Sequence, residues 1–198
     1  MATNDPTPFQ SIPWISALLQ DKSFLSYTIP SRTVKTSTED NFFSKTLNTP
    51  TTISACLSQY RLSNKPPAPG FNPSRPQAEE LRIFFLLGSD LNGYPGILHG
   101  GVVAALLDEG TGLLLSFNGQ VGDPVSRQAS GAQTGPVTAY LHTTYLRPVP
   151  TPSAIMLQSK IVEVKEDRKW KIEARLVDGE GEVLASAEAL YIRPRSKI

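Results

Sequence analysis

The chain has 198 residues, a formal net charge of +1, 39% hydrophobic residues, two histidines and one cysteine. This length suits one domain with extensions, and the near-zero charge gives no general attraction to nucleic acid or acidic membranes. A lone cysteine, Cys56, excludes an intramolecular disulfide, and so few thiol and imidazole groups disfavour a zinc site, so no metal is expected. No apolar run is judged long enough to span a membrane, and the N-terminal MATNDPTPFQ resembles neither a signal peptide nor a mitochondrial presequence. A cytoplasmic protein is expected, with a mitochondrial location left open.

The first part of the chain is rich in proline, with ten of the 17 prolines in the first 76 residues. Residues 1–11 are predicted to be a disordered leader, and residues 13–27 a short amphipathic helix with Pro13 in its first turn. The next segments are predicted to be a polar irregular stretch, a strand, a proline-rich loop, a buried strand and a turn-rich loop, over residues 30–50, 51–62, 66–70, 81–87 and 88–98.

A long buried helix is predicted by the segment from Gly96 to Leu115, GILHGGVVAALLDEGTGLLL, which is apolar on nearly every face. Burying a carboxylate without partners is costly, so at least one of Asp108 and Glu109 is expected to be functional. Glu109 is turned by one residue from Asp108, and we expect it to form a salt bridge with a partner or a dimer contact. Asp108 shares its face with small residues that allow another backbone to come close: Gly101, Ala104, Ala105, Thr111 and Gly112.

The beginning of this helix has His99-Gly100-Gly101 in place of the usual Ser, Thr, Asp or Asn cap. The first amide groups of a helix have no internal acceptors, and two glycines are expected to leave them open. Open amides at the positive end of the helix dipole bind anions, and they can also bind the oxyanion formed when a carbonyl is attacked. An oxyanion site about two and a half turns before a buried acid is an arrangement suited to acyl hydrolysis.

In the second half of the chain, apolar and polar residues alternate with the period of two that is typical of β-strands. A long loop rich in glycine and serine, residues 119–136, comes first and is a candidate lid or insertion. Four strands are then predicted over residues 137–146, 154–165, 169–178 and 183–192. One long buried helix against an antiparallel sheet indicates an α+β layer fold.

Two motifs resemble the hotdog-fold acyl-CoA thioesterases, in the order in which that family carries them. The first is the HGG of residues 99–101 with an acid nine residues after the histidine, and the second is residues 138–148, TAYLHTTYLRP, which is similar to the family pattern T-x-x-L-x-x-x-Y-x-R-P. The resemblance is closest to the PaaI-type branch, which includes the mammalian thioesterase-superfamily-member proteins, and it covers roughly residues 81–192. It implies an N-terminal extension over residues 1–78 and, over residues 79–198, a hotdog domain with a long central helix wrapped by an antiparallel sheet.

The resemblance also implies an activity and a set of site residues. The expected reaction is hydrolysis of an acyl thioester in lipid metabolism, with acyl-CoA as substrate and no cofactor beyond the coenzyme A of that substrate. By resemblance, Asp108 is the general base or the nucleophile, Gly100 the backbone donor to the oxyanion, and Thr138 a hydroxyl that positions the acid or the water. Substrate contacts or positioning roles, including coenzyme A phosphate binding by the basic residues, are expected of His99, Gly101, Thr144, Leu146, Arg147, Lys169, Arg193, Arg195 and Lys197.

The resemblance also implies an oligomeric assembly, and two alternative functions stay open. Hotdog domains pair to form one continuous sheet, which implies a homodimer or a dimer of dimers with Asp108 from one subunit and Gly100 and Thr138 across the interface or nearby. The first alternative is a non-hydrolytic acyl-CoA or fatty-acyl binding protein, and the acid at the family spacing argues against it. The second is a thioesterase for polyketide or acyl chains on a carrier protein. The basic C-terminal tail slightly favours free coenzyme A, but a carrier protein is also acidic, so this alternative stays open.

Overall fold

The computed structural model describes residues 5–64, 77–119, 136–166 and 168–193. Within these ranges, the helices are Thr7–Gln10 (α1), Pro13–Leu19 (α2) and Gly100–Phe117 (α3). The strands are Phe24–Tyr27 (β1), Ile53–Leu62 (β2), Ala78–Leu87 (β3), Asn92–Tyr94 (β4), Ile97–Leu98 (β5), Val137–Tyr145 (β6), Ser153–Lys165 (β7), Lys169–Val177 (β8) and Val183–Ile192 (β9). Single helical turns lie at Pro30–Arg32, Phe42–Thr46 and Ser89–Leu91.

One antiparallel sheet of seven strands has the order β1-β2-β3-β7-β8-β9-β6. Successive side chains of each strand point to opposite faces of this sheet. In β8, the side chains on the inner face are buried against the helix: Trp170, Ile172, Ala174 and Leu176. The small hairpin of β4 and β5 lies outside this sheet and leads directly into α3. β6 lies at one edge, where no further strand of the described ranges pairs with it.

Helix α3 packs across the inner face of the sheet and supplies much of the core, including Leu106, Leu107 and Leu114, which are fully buried. The helix passes close to the sheet at Gly110, where an added Cβ would come within 2.2 Å of the Leu157 side chain in β7. Any larger residue here would therefore force the buried Leu157 side chain to move. The predicted α+β hotdog architecture, with one long helix wrapped by an antiparallel sheet, is confirmed.

The same helix is the one described segment that is long and apolar enough to cross a membrane, with 18 residues and a mean hydropathy of 1.3. The sequence-based judgement that no apolar run has this length is therefore wrong. Its side chains pack against β3, β7, β8 and β9, so the apolar composition is accounted for by its place in the core.

The N-terminal segment differs from its prediction in two places. Residues 7–10 of the predicted disordered leader form α1, because Phe9 is fully buried against Phe84 on the outer face of the sheet. The predicted helix over residues 13–27 ends at Leu19, and its second half is strand β1. The Asp21 carboxylate accepts hydrogen bonds from the Ser23 amide and hydroxyl, which favours a turn and ends the helix.

The predicted extension contributes to the same sheet as the rest of the chain, since β1 and β2 precede β3 in the strand order. Its helices cover the outer face, where a second apolar cluster combines Phe9 and Ile15 with side chains from the strands, namely Leu57, Phe84, Met156 and Val177. The stretch over residues 30–50 is irregular, as predicted, apart from two single turns. The predicted loop at residues 66–70 and nearly all of the one at 119–136 lie outside the described residues.

Candidate active site

The beginning of α3 is capped by a histidine. The Gly101 amide donates a hydrogen bond of 2.9 Å to Nδ1 of His99, whose extended backbone (φ −60°, ψ 131°) places the ring beside the first helical turn. The expectation that both glycine amides are open is therefore wrong for Gly101. A neutral imidazole that accepts at Nδ1 carries its proton on Nε2, so His99 keeps one donor for other contacts.

The Gly100 amide, in contrast, has no acceptor among the described residues. It lies at the edge of a surface groove of about 320 Å³, whose lining also includes Leu98, Val103, Leu146 and Val149. Tyr145 stands beside it and donates a hydrogen bond of 3.0 Å from its hydroxyl to the Gly100 carbonyl. An open amide at a helix N-terminus facing a groove is the geometry that binds a negatively charged oxygen.

The two large side chains beside this groove are exposed: Tyr145 by 57% and Leu146 by 53%. Exposed apolar surface next to a helix N-terminus fits coverage by a substrate or by another chain. The family pattern T-x-x-L-x-x-x-Y-x-R-P includes a tyrosine at position 145. That motif could therefore have predicted that Tyr145 lies in the site.

Asp108 is half-buried on α3, where its carboxylate meets two hydroxyl groups. Thr138 Oγ1 and the Tyr191 hydroxyl each lie 3.3 Å from Oδ1, and no donor of the described residues contacts Oδ2. The structure therefore brings together two of the predicted site residues, Asp108 and Thr138, within one chain. Thr111 Oγ1 donates a hydrogen bond of 2.8 Å to the Asp108 carbonyl and fixes the backbone at the same point.

Tyr191, in β9, is the neighbour of Asp108 that sequence reasoning missed. It is buried, and its hydroxyl also lies 2.9 Å from Thr111 Oγ1. Burial raises the pKa of Tyr191, and the nearby Asp108 charge raises it further, so the phenol keeps its proton and can donate it. The alternation of β9 was the available signal, because Tyr191 continues the inward-facing series Ala185, Ala187 and Ala189.

Glu109 points away from Asp108, toward the N-terminal segment. Its carboxylate accepts a short hydrogen bond from the Ser31 hydroxyl, in the helical turn Pro30–Arg32. The expected salt bridge is not found among the described residues. Burial of this carboxyl raises its pKa to about 7, although the Ser31 hydrogen bond acts in the opposite direction.

Glu109→Gln is expected to stabilise the fold at pH 8 and to change stability little near pH 4. With a raised pKa, the folded chain keeps a proton that the unfolded chain loses, so stability falls as the pH rises from about 4.5 to about 7. The full shift corresponds to about 3 kcal/mol, and glutamine removes this cost while keeping the shape of the side chain.

Urea unfolding of the parent and the variant at both pH values measures this effect. The exposed Glu180→Gln is the matched control, for which the difference from the parent should not depend on pH. An equal stability difference for Glu109→Gln at pH 4 and pH 8 would contradict the prediction.

Three of the basic residues predicted to bind phosphate have partners within the chain. Arg147 pairs with Glu182 at 2.8 Å, Lys169 pairs with Glu166 at 3.5 Å, and the Arg193 guanidinium lies 5.2 Å from the Trp170 ring centroid. The remaining two, Arg195 and Lys197, lie outside the described residues. Their contacts with a substrate remain predictions.

Thr144 lies on the outer face of the sheet, opposite the inner face that packs against α3. There it lines a groove of about 580 Å³ together with His142, Gln158, Lys160 and Glu188. The neighbouring Tyr145 faces the helix instead, because successive side chains of a strand alternate between faces. The predicted substrate contact of Thr144 is thus on a different surface from the groove at Gly100.

Comparison with known proteins agrees with this architecture. The family described as the thioesterase superfamily matches residues 95–185. Verlamelin biosynthesis protein B from Lecanicillium sp is 26% identical over an alignment of 181 residues, which covers 79% of this chain and 75% of that protein.

Solved structures include a hypothetical thioesterase from Streptococcus pneumoniae TIGR4 in complex with coenzyme A, at 14% identity and a TM-score of 0.50, covering 63% of this chain and 86% of that one. A thioesterase-superfamily protein is 29% identical with a TM-score of 0.48 and covers 58% of this chain, which spans only 51% of that longer chain. The PaaI protein of E. coli gives 11% identity and a TM-score of 0.48, over 59% of this chain and 74% of that one.

Proposed function

Because residues 95–185 of this chain belong to the thioesterase superfamily, we propose that the protein hydrolyses an acyl thioester, with acyl-CoA as the substrate, to a free acid and a thiol. The predicted family is confirmed by that match. The observation that carries the proposal is that α3 holds two groups without a hydrogen-bond partner among the described residues: Oδ2 of Asp108 and, at the beginning of the helix, the Gly100 amide.

The chemistry assigned to these groups is transfer of the acyl group to water. Asp108 accepts a proton from a water molecule while the oxygen of that water bonds to the thioester carbon. The thioester carbonyl oxygen gains a negative charge, which a Gly100 amide stabilises. Collapse of this intermediate breaks the carbon–sulfur bond, and the thiolate leaves and is protonated. Direct attack by the carboxylate uses the same two groups: the thiolate leaves as a mixed anhydride forms, and water then hydrolyses the anhydride. Incorporation of ¹⁸O from labelled water into Asp108 during a single turnover would demonstrate this route, since it requires attack of water at the aspartyl carbon of the anhydride.

One chain does not bring the two groups to one carbonyl. Gly100 and Asp108 are eight residues apart on one helix, which places them about 12 Å apart along its axis. A thioester carbon and its oxygen are one bond apart, so the acid and the amide must come from different copies. We infer a homodimer with antiparallel α3 helices, in which Asp108 of one subunit faces the Gly100 amide of its partner.

The edge strand β6 is the surface on which such a dimer would form. It lies at the end of the sheet and carries Thr138 beside Asp108 and Tyr145 beside Gly100. A second β6 in antiparallel pairing would extend the sheet across a two-fold axis and satisfy its unpaired backbone groups. The exposed Tyr145 and Leu146 would then be covered.

A panel of acyl-CoA thioesters of different chain lengths, followed by thiol release with a colour reagent, tests the function. We expect saturable release that is at least about a hundredfold slower in the Asp108→Asn variant. Binding of acyl-CoA without release would replace this proposal with the acyl-binding alternative.

The carrier-protein alternative is supported by one comparison. The relative from Lecanicillium sp is named for a biosynthetic role and aligns with 79% of this chain, including the N-terminal segment in part. Acyl chains in biosynthesis are held on carrier proteins as thioesters of the same pantetheine arm. Release from an acyl carrier protein at a kcat/KM far above that of the matching acyl-CoA would favour this donor, with the same roles for Asp108 and Gly100.

A further inference from the structure

Three hydroxyl groups surround Asp108, and their protons can be assigned to acceptors. Thr111 lies 2.8 Å from the Asp108 carbonyl, so its proton goes there. Thr138 has the carboxylate oxygen Oδ1 within 3.3 Å. The Tyr191 hydroxyl has three acceptors within reach, namely Thr111 Oγ1 at 2.9 Å, the Asp108 carbonyl at 3.2 Å and Oδ1 of Asp108 at 3.3 Å. A hydrogen bond to the charged acceptor, Oδ1, is the strongest of the three.

This arrangement uses one oxygen of the carboxylate and leaves the other available. Oδ1 receives the protons of Thr138 and Tyr191, while Oδ2 has no donor among the described residues. A general base or nucleophile needs a lone pair directed at the reacting atom, so fixing Oδ1 from two sides also fixes the direction of Oδ2.

We propose that Tyr191 is a positioning residue for Asp108: its hydroxyl holds Oδ1 and thereby keeps Oδ2 directed at the substrate. The consequence for turnover rests on the proposed thioesterase function, whereas the hydrogen bond itself does not. Tyr191 is well placed for this task, because it is buried and its strand partner in the register of β6 and β9 is Thr138. The two donors therefore sit side by side on neighbouring strands.

The helix also makes room for this hydroxyl. A Cβ at position 112 would lie 3.3 Å from the Tyr191 oxygen, tighter than ordinary contact, and glycine avoids it. One helical turn thus carries the acid of Asp108, the hydroxyl of Thr111 and, at Gly112, the space that the Tyr191 hydroxyl occupies. Small residues on this face were expected to admit another backbone, and at Gly112 they admit the Tyr191 side chain.

Tyr191→Phe is expected to lower kcat about tenfold or more while KM stays close to the parent value. Tyr140→Phe is the matched control, since it removes a hydroxyl that donates to Glu188 on the outer face of the sheet. It should leave both kcat and KM as they are in the parent.

A thermodynamic cycle tests the contact without turnover. Urea unfolding of the parent, Tyr191→Phe, Asp108→Ala and the double variant should give non-additive changes in stability, and Tyr140→Phe should be additive with Asp108→Ala. If the parent hydrolyses acyl-CoA but Tyr191→Phe keeps the parental kcat, the positioning role is wrong and the proposed function stands. If the parent hydrolyses no thioester, the proposed function fails, and the thermodynamic cycle still tests the hydrogen bond between Tyr191 and Asp108. Additive changes in stability would overturn that hydrogen bond, and non-additive changes would support it.

Discussion

Asp108→Asn lowers kcat for thioester hydrolysis by about a hundredfold to ten-thousandfold, the usual contribution of a general base. Asparagine has nearly the same shape as aspartate, and its side-chain oxygen can still accept the hydrogen bonds from Thr138 and Tyr191. The fold is therefore expected to remain intact, while the group that accepts the proton is lost. Steady-state thiol release gives kcat, and circular dichroism checks the fold.

Glu109→Gln is the matched control for this variant, because it removes the adjacent carboxylate of the same helix. Its carboxyl contacts Ser31 and faces the N-terminal segment, so kcat should change far less than in Asp108→Asn. A folded Asp108→Asn protein with nearly parental turnover would remove Asp108 from the mechanism.

Gly100→Pro is expected to lower kcat by about a hundredfold to a thousandfold, as loss of one oxyanion donor does in other acyl-transfer enzymes. Gly100 is the first residue of α3, a position at which proline is favoured because its amide has no helical acceptor. The extended backbone of His99 is also the conformation that precedes proline most easily. The substitution therefore deletes one N–H group with little cost to the helix.

Gly100→Ala separates this effect from simple crowding. Alanine keeps the amide and adds the same Cβ, which would meet the Tyr145 ring at 3.5 Å, an ordinary contact distance. We expect Gly100→Ala to retain most of the parental kcat. Equal losses in the alanine and proline variants would show that space at position 100, and not its amide, matters for turnover.

The long helix and the later strands could be predicted from sequence because their periods are local. Strand β9 has the predicted bounds, residues 183–192, since its alternation and the flanking turn residues mark both ends. The buried helix was equally clear from its apolar run. Helix α1 could not be predicted in this way, because its only buried residue, Phe9, is ordered by contact with Phe84, 75 positions later in the sequence.

The candidate site was predicted in part. The HGG and the acid at their family spacing identify Gly100 and Asp108, and the second motif identifies Thr138. The hydrogen bond by which His99 caps the Gly101 amide was missed, because an imidazole is not among the usual capping groups. Tyr191 and Ser31 were missed because each reaches its carboxylate across 78 residues or more of sequence, a distance that no local pattern encodes.

The central claim is that the acid of one subunit and the amide of the other act on the same thioester. Asp108→Asn and Gly100→Pro chains, carrying different affinity tags, can be co-expressed and purified in tandem as the mixed dimer. One of its two sites then combines an intact Asp108 with an intact Gly100 amide from the partner, and the other site lacks both groups. We expect the mixed dimer to show about half the activity of the parent dimer, far above either single variant. Activity no higher than that of the single variants would contradict a site shared between two chains.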